Sequence, residues 1–141
     1  MTDSRLGLGP RLLAAGIALA CAAVLITAAS LAADGAGHGT HEQLGLPPCM
    51  WARAFDAPCM TCGMTTSFTH AAHGRLLESL LTQPLGMMLS VLAAAAFWIG
   101  LFVALTGSRL GEHALRLLST RSLIALAALG AVAWVYKIAV W

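Results

Sequence analysis

The run LGMMLSVLAAAAFWIGLFVALT, from Leu85 to Thr106, decides the fold. It carries no charge, and a membrane helix needs about 20 apolar residues at ~1.5 Å rise each. Two comparable runs flank it. Leu12 to Ala33 is uncharged and rich in Ala, Leu and Ile. Ser122 to Tyr136 is the third, continuing through Lys137 to Trp141. This last run spans if Lys137 snorkels to the interface beside Trp134, Tyr136 and Trp141, which form an aromatic belt there.

The first run has a rival reading as a cleaved signal peptide. Arg5 and Arg11 resemble a basic leader region, and small residues from Ala28 to Ala33 offer cleavage sites. The run is longer than a usual leader core, so an uncleaved helix is expected. The expected fold is all-α: a single membrane domain, 1–141, bundling three transmembrane helices at about 12–33, 85–106 and 122–141. One or two short interfacial helices are expected in the first loop, 34–84. Small residues four apart (Gly16 and Ala20, Ser90 and Ala94, Ala96 and Gly100, Ala127 and Ala131) would let the helices approach closely.

Composition agrees. The 141 residues are 59% hydrophobic and 10% charged, against about 25% charged in soluble domains. So few charges suit a chain solvated by lipid, and the bilayer is its first expected partner. A net charge of +2 gives no reason to expect nucleic acid. The sequence shows no Gly-rich phosphate loop, no Ser/His/Asp arrangement and no repeat.

Orientation follows from the bias of Lys and Arg. With three spans, the N-terminus and the segment Gly107 to Arg121 share a side, with Arg5, Arg11, Arg109, Arg116 and Arg121. The opposite side holds Arg53, Arg75 and Lys137. The first side is expected to be cytoplasmic. The expected location is the bacterial cytoplasmic (inner) membrane, multi-pass, with the loop 34–84 facing outward into an oxidising compartment where disulfides persist.

That loop concentrates the reactive groups: Cys49, Cys59 and Cys62, with His38, His41, His70 and His73. Asp34 to His41 is too Gly-rich for a helix, and Leu46-Pro47-Pro48 forces extended chain into Cys49. Asp56 followed by Pro58 reads as a helix N-cap and first turn, from which a helix would run through Cys59-Met60-Thr61-Cys62 to a break near Gly74. On that helix Met60, Met64, Phe68 and Ala71 form an apolar stripe, facing membrane or bundle. Cys59, Cys62, Thr66, His70 and His73 lie opposite. Trp51 and Phe55 are expected in the headgroup region.

Two thiols one turn apart at a helix N-terminus are activated by its exposed N–H groups. Cys62, nearer those groups, is the expected better-stabilised thiolate, and Cys59 the expected disulfide partner of Cys49. Three readings stay open. The cysteines staple the loop, they exchange disulfides, or they bind a soft metal ion, copper or zinc. In the metal reading Cys49, Cys59 and Cys62 supply thiolates, Met50, Met60 and Met64 lie near as thioethers, and His38 and His41 sit on flexible chain within reach. His38, His41, His70 and His73 are the accessory candidates, but His70 and His73 cannot share an ion with Cys59 and Cys62 unless the helix breaks, because Cys62 to His70 spans ~12 Å of continuous helix. Cys21 is read as a small apolar residue inside the first span.

Cys49, then Pro58-Cys59-Met60-Thr61-Cys62-Gly63-Met64-Thr65, then Gly74 and Pro84-Leu85, resemble a bacterial membrane-protein family known as domain of unknown function 2752. Its signature is a Cys, a spacer, then Cys-Pro-x-Cys-Gly-x-Thr-Arg. The resemblance covers about Leu46 to Phe102. Met60 stands where the signature has proline and Thr66 where it has arginine. The resemblance implies membrane location and the importance of the cysteine motif, but no reaction. The leading reading is a non-enzymatic membrane protein whose Cys-x-x-Cys loop binds a metal or another membrane protein, or is stapled. The alternatives are a thiol–disulfide oxidoreductase or electron carrier, and a structural subunit of a membrane complex.

Overall fold

The computed structural model describes residues 6–111 and 119–140. Three helices in it are long and apolar enough to cross a membrane: α1 (Leu8–Ser30), α5 (Pro84–Thr106) and α6 (Thr120–Ala139), with mean hydropathies of 2.5, 2.4 and 1.8 over their best windows. Between α1 and α5 lie a 3-10 turn (Thr40–Leu44) and the short helices α2 (Met50–Phe55), α3 (Met64–Ala72) and α4 (Leu76–Thr82). The described residues contain no strand, so the all-α expectation holds. The three spans begin and end within a few residues of their expected limits. Arg5, Arg116 and Trp141, used above to argue orientation and the aromatic belt, lie outside the described residues.

Proline and glycine set the ends of α5. Pro84 occupies its first turn, where no N–H is needed. Gly107 closes it at φ +69°, with its N–H on the Val103 carbonyl. Ser119 caps α6, its side chain accepting from Ser122 N–H.

α1 and α5 form the main antiparallel pair. Arg11, in the first turns of α1, donates from Nε to the Ala104 carbonyl at 2.9 Å and from Nη2 to the Leu105 carbonyl at 3.1 Å. Those carbonyls belong to the last turn of α5, which has no partner of its own for them. At the crossing, a Cβ on Gly100 would lie 2.8 Å from the Ala14 carbonyl and 3.2 Å from the Ala18 Cβ. Gly100 therefore packs the pair as its spacing predicts. Gly16 does not: nothing lies within 4 Å of where its Cβ would be, and Ala20 is exposed. Ala127 and Ala131 are exposed too, and α6 buries Gly130, Ala133 and Lys137 instead.

The spans turn large apolar side chains outward, and the polar groups of the segment between α1 and α5 are buried. Leu13, Leu19, Ile26, Trp98, Leu105, Ile124 and Val132 all point outward. Thr40, Thr66, Ser67, Thr69, Ser79 and Gln83 are fully buried. Ser67 Oγ lies 2.9 Å and 3.0 Å from the carbonyls of Ser79 and Gln83, and Ser79 Oγ donates back to the Ser67 carbonyl at 2.7 Å. These bonds close α3 and α4 into a hairpin. Ser67 also packs where Gly86 leaves room: a Cβ there would lie 2.8 Å from Ser67.

The seating of α3 differs from expectation on its polar side. Met64 of the apolar stripe meets Gly86 of α5, but the polar face is not left outward. The helix packs against α1 and α5 with Thr66, Ser67 and Thr69 inward. Beside lipid no water meets an outward hydroxyl, so polar groups are satisfied only within the protein. The break near Gly74 is as expected, at φ +76°.

Candidate metal centre

The Cys-x-x-Cys segment is a turn, not a helix. Asp56 does not cap a following helix. It ends α2 in the left-handed region at φ +48°, and α3 begins only at Met64, after Gly63 at φ +83°. The chain from Pro58 to Gly63 folds over itself, with Cys62 N–H on the Cys59 carbonyl and Met64 N–H on the Thr61 carbonyl.

Long-range contacts hold that turn. Trp134 Nε1 donates to the Pro58 carbonyl at 3.0 Å, and Gln83 Nε2 to the Met60 carbonyl at 3.1 Å. Gly63 sits so close to the Gly37 carbonyl that a Cβ would lie 2.6 Å from it. The Gly37 segment is tied down in turn: Thr40 Oγ1 lies 2.9 Å from Thr66 Oγ1 and accepts the Asp34 N–H at 3.0 Å. From α6, Lys137 Nζ donates to the carbonyls of Gly37 (3.2 Å) and Thr82 (3.3 Å), and Tyr136 Oη to that of Leu81 (2.8 Å). Lys137 therefore does not snorkel. It turns inward and is 5% exposed, because the carbonyls of Gly37 and Thr82 accept its N–H groups there.

These supports bring three thiols together. Cys62 Sγ is 3.2 Å from Cys59 Sγ and 3.6 Å from Cys49 Sγ, and the three sulfurs lie within 4.8 Å of one another. All are free thiols, with Cys62 buried and the other two half-buried. Ligands around a tetrahedral zinc–thiolate centre, each ~2.3 Å from the ion, stand ~3.8 Å apart. The cysteine triangle is close to one face of that tetrahedron, and small adjustments would complete it.

The thiols differ in acidity, opposite to the sequence expectation. Burial pushes the Cys62 thiol up to about 12, with the neighbouring Cys59 adding to it. Burial also acts to raise Cys59, but hydrogen bonds from Thr61, Cys62 and Cys49 outweigh it and leave Cys59 below its ordinary value. Helix N–H groups do not decide the matter, because neither cysteine stands in a helix. Depth, the Thr61 hydrogen bond and the sulfur neighbours do.

A cavity of about 600 Å³ opens onto the triangle, walled by His38, His41, Glu42, Arg53, the three cysteines and Thr66 among others. His41 Nε2 lies 3.2 Å from the Pro47 carbonyl. His70 and His73 face elsewhere. His70 Nδ1 is 3.1 Å from Glu78 Oε2, which Arg75 also meets, and His73 Nδ1 lies 2.8 Å from the Thr69 carbonyl. Burial and the Arg75 charge hold His70 below its usual range. Of the methionines, Met50 and Met60 are exposed and outside the cavity, while Met64 lines it with its sulfur against Gly86. Trp51 and Phe55 are exposed on α2, ring centroids 4.6 Å apart.

Trp134, Tyr136 and Lys137 have no place in a reading of the loop alone, and Gln83, near its end, is not among its predicted site residues. One signal was available. A lysine within an apolar span is costly unless it is satisfied inside the protein, and so marks a site.

Residues 49–99 match the model of a family described as Protein of unknown function (DUF2752). The match takes in all three loop cysteines and most of α5, in agreement with the resemblance seen in the sequence. It leaves α1 and α6 outside. No curated protein and no solved structure matches the chain.

Proposed function

We propose that this is a non-enzymatic membrane protein whose Cys49, Cys59 and Cys62 bind one soft metal ion, copper(I) or zinc(II). The cysteine triangle carries the reading, because three sulfurs from two separate segments converge at near-ligand spacing. Thiolates favour these ions. His38 and His41, on the wall of the same cavity, are the nearest class of nitrogen donor for a fourth position. Binding displaces the thiol protons, so affinity rises with pH, and buried Cys62 is the last to release its own. The orientation goes with the proposal: the site faces outward from the bacterial cytoplasmic membrane and the N-terminus faces the cytoplasm. A metal-donating or metal-accepting membrane protein is the partner such a site implies.

The test uses the full chain, reduced and purified anaerobically in detergent. Copper(I) or zinc(II) should bind at one per chain. Cys→Ser at any of the three positions should weaken binding, while changing His70 and His73 together to Ala should leave it intact. Full affinity in the Cys59→Ser/Cys62→Ser double variant would end the reading.

A specific observation favours a second reading. Cys59, depressed and half-buried, beside buried Cys62 with its thiol raised, is the division of labour of a thiol–disulfide pair. Oxidation would form the Cys59–Cys62 bond and pass two electrons and two protons to a partner's disulfide, which becomes two thiols. A reversible two-electron titration against a glutathione couple, in protein that binds no metal, would select it.

A further inference from the structure

The buried ammonium of Lys137 is unexplained by the metal ligands alone. It lies near the end of α6, inside an otherwise apolar span. Its Nζ is bonded to the carbonyls of Gly37 and Thr82 and stands 3.3 Å from where a Cβ of Gly63 would be, next in sequence to Cys62. The carbonyls satisfy N–H groups but are neutral. A buried charge is costly without an opposite one. Among the described residues the carboxylates of Asp34, Glu42, Asp56 and Glu78 are all exposed, and none pairs with Lys137.

Three thiolates around a metal ion supply the missing charge. With zinc(II) the centre carries a net charge of −1, and with copper(I) −2, from three thiolates at −1 each plus the ion. We propose that Lys137 is the counter-charge of this anionic centre, a positioning residue that couples the third span to metal binding. The inference rests on the metal reading above. Lys137 does two jobs in it. It latches the Gly37 and Thr82 carbonyls around the cysteine turn, and its charge offsets the thiolates in a pocket that water screens poorly.

The two jobs separate by charge. Coulomb energy scales with the product of charges, so the logarithm of the affinity lost on neutralising Lys137 should be twice as large for copper(I) as for zinc(II). Outer partners of metal sites typically contribute about 10–100-fold in affinity. Lys137→Met should therefore weaken zinc(II) about tenfold and copper(I) about a hundredfold, measured by chelator competition on the full chain in detergent. Lys137→Gln removes the charge but keeps N–H donors, and serves if the methionine variant does not fold. It should show the same unequal loss. Equal losses for both ions would mean that Lys137 is a latch only, and overturn the counter-charge. So would unchanged affinities in both variants. Failure of the unmutated chain to bind either ion would remove the metal reading and this one with it.

Discussion

Gly63→Ala tests how the cysteine turn is built. Gly63 stands at φ +83°, and an added Cβ would lie 2.6 Å from the Gly37 carbonyl oxygen. Ordinary contact begins near 3.4 Å, so the Gly37 backbone would have to retreat by about 0.8 Å (3.4 minus 2.6). That carbonyl is held by Lys137 Nζ, so the retreat strains the latch as well. The positive φ costs roughly 1–2 kcal/mol for a residue with a Cβ, and forcing an atom into packed space costs about 1–3 kcal/mol more. The sum is about 2–5 kcal/mol. Gly74→Ala is the control. Gly74 has a similar φ, +76°, but nothing lies within 4 Å of its Cβ position, so it should lose only the roughly 1–2 kcal/mol of the backbone term. Equilibrium unfolding in mixed detergent, followed by tryptophan fluorescence, measures both. Gly63→Ala should also slow or abolish metal binding, and Gly74→Ala should not. Equal destabilisation by the two variants would refute the close approach of Gly63 to Gly37, and with it the account of how α6 reaches the site.

Cys59 should be alkylated first by a small neutral reagent, its rate reaching half-maximum below the ordinary thiol range. Its pKa is lowered, so its reactive thiolate persists to lower pH, whereas Cys62 at about 12 stays protonated and inert across the same range. Peptide mass spectrometry of briefly labelled protein decides it, and faster labelling of Cys62 would count against the burial argument. Ser67→Ala should destabilise the chain by about 0.5–1.5 kcal/mol, because it removes the hydroxyl that ties α3 to the Ser79 and Gln83 carbonyls, while those carbonyls keep the backbone N–H groups of Gln83 and Met87; unchanged unfolding would show that the α3–α4 hairpin is held by packing alone. A reporter fused after Gly107 should work only as a cytoplasmic enzyme, because Arg11, Arg109 and Arg121 then lie inside; export-dependent activity would invert the topology.

The spans were legible in the sequence because they depend on local composition. An uncharged run long enough to cross a bilayer is a helix there whatever it packs against, since lipid offers the backbone no other partner. Pro84, Gly74 and Gly107 marked ends and breaks for equally local reasons, being limits on φ and on N–H donation. The cysteine motif was legible too, as three thiols confined to one short loop. Its conformation was not. Asp56-x-Pro58 matches a helix start, but the cysteine turn is set by Trp134, Gln83 and the Gly37 carbonyl, between 23 and 76 residues away for the two hydrogen bonds. Helical periodicity placed Thr66 on a face but did not say whether that face met lipid or protein. The inward direction of Lys137 depends on a carbonyl 100 residues earlier in the chain. The acidities of Cys59 and Cys62 follow from depth, from the Thr61 hydroxyl and from one another's sulfur, which depend on how the loop packs. Local rules fix which segments enter the membrane; which polar groups meet once inside is fixed by the need to satisfy each of them far from water.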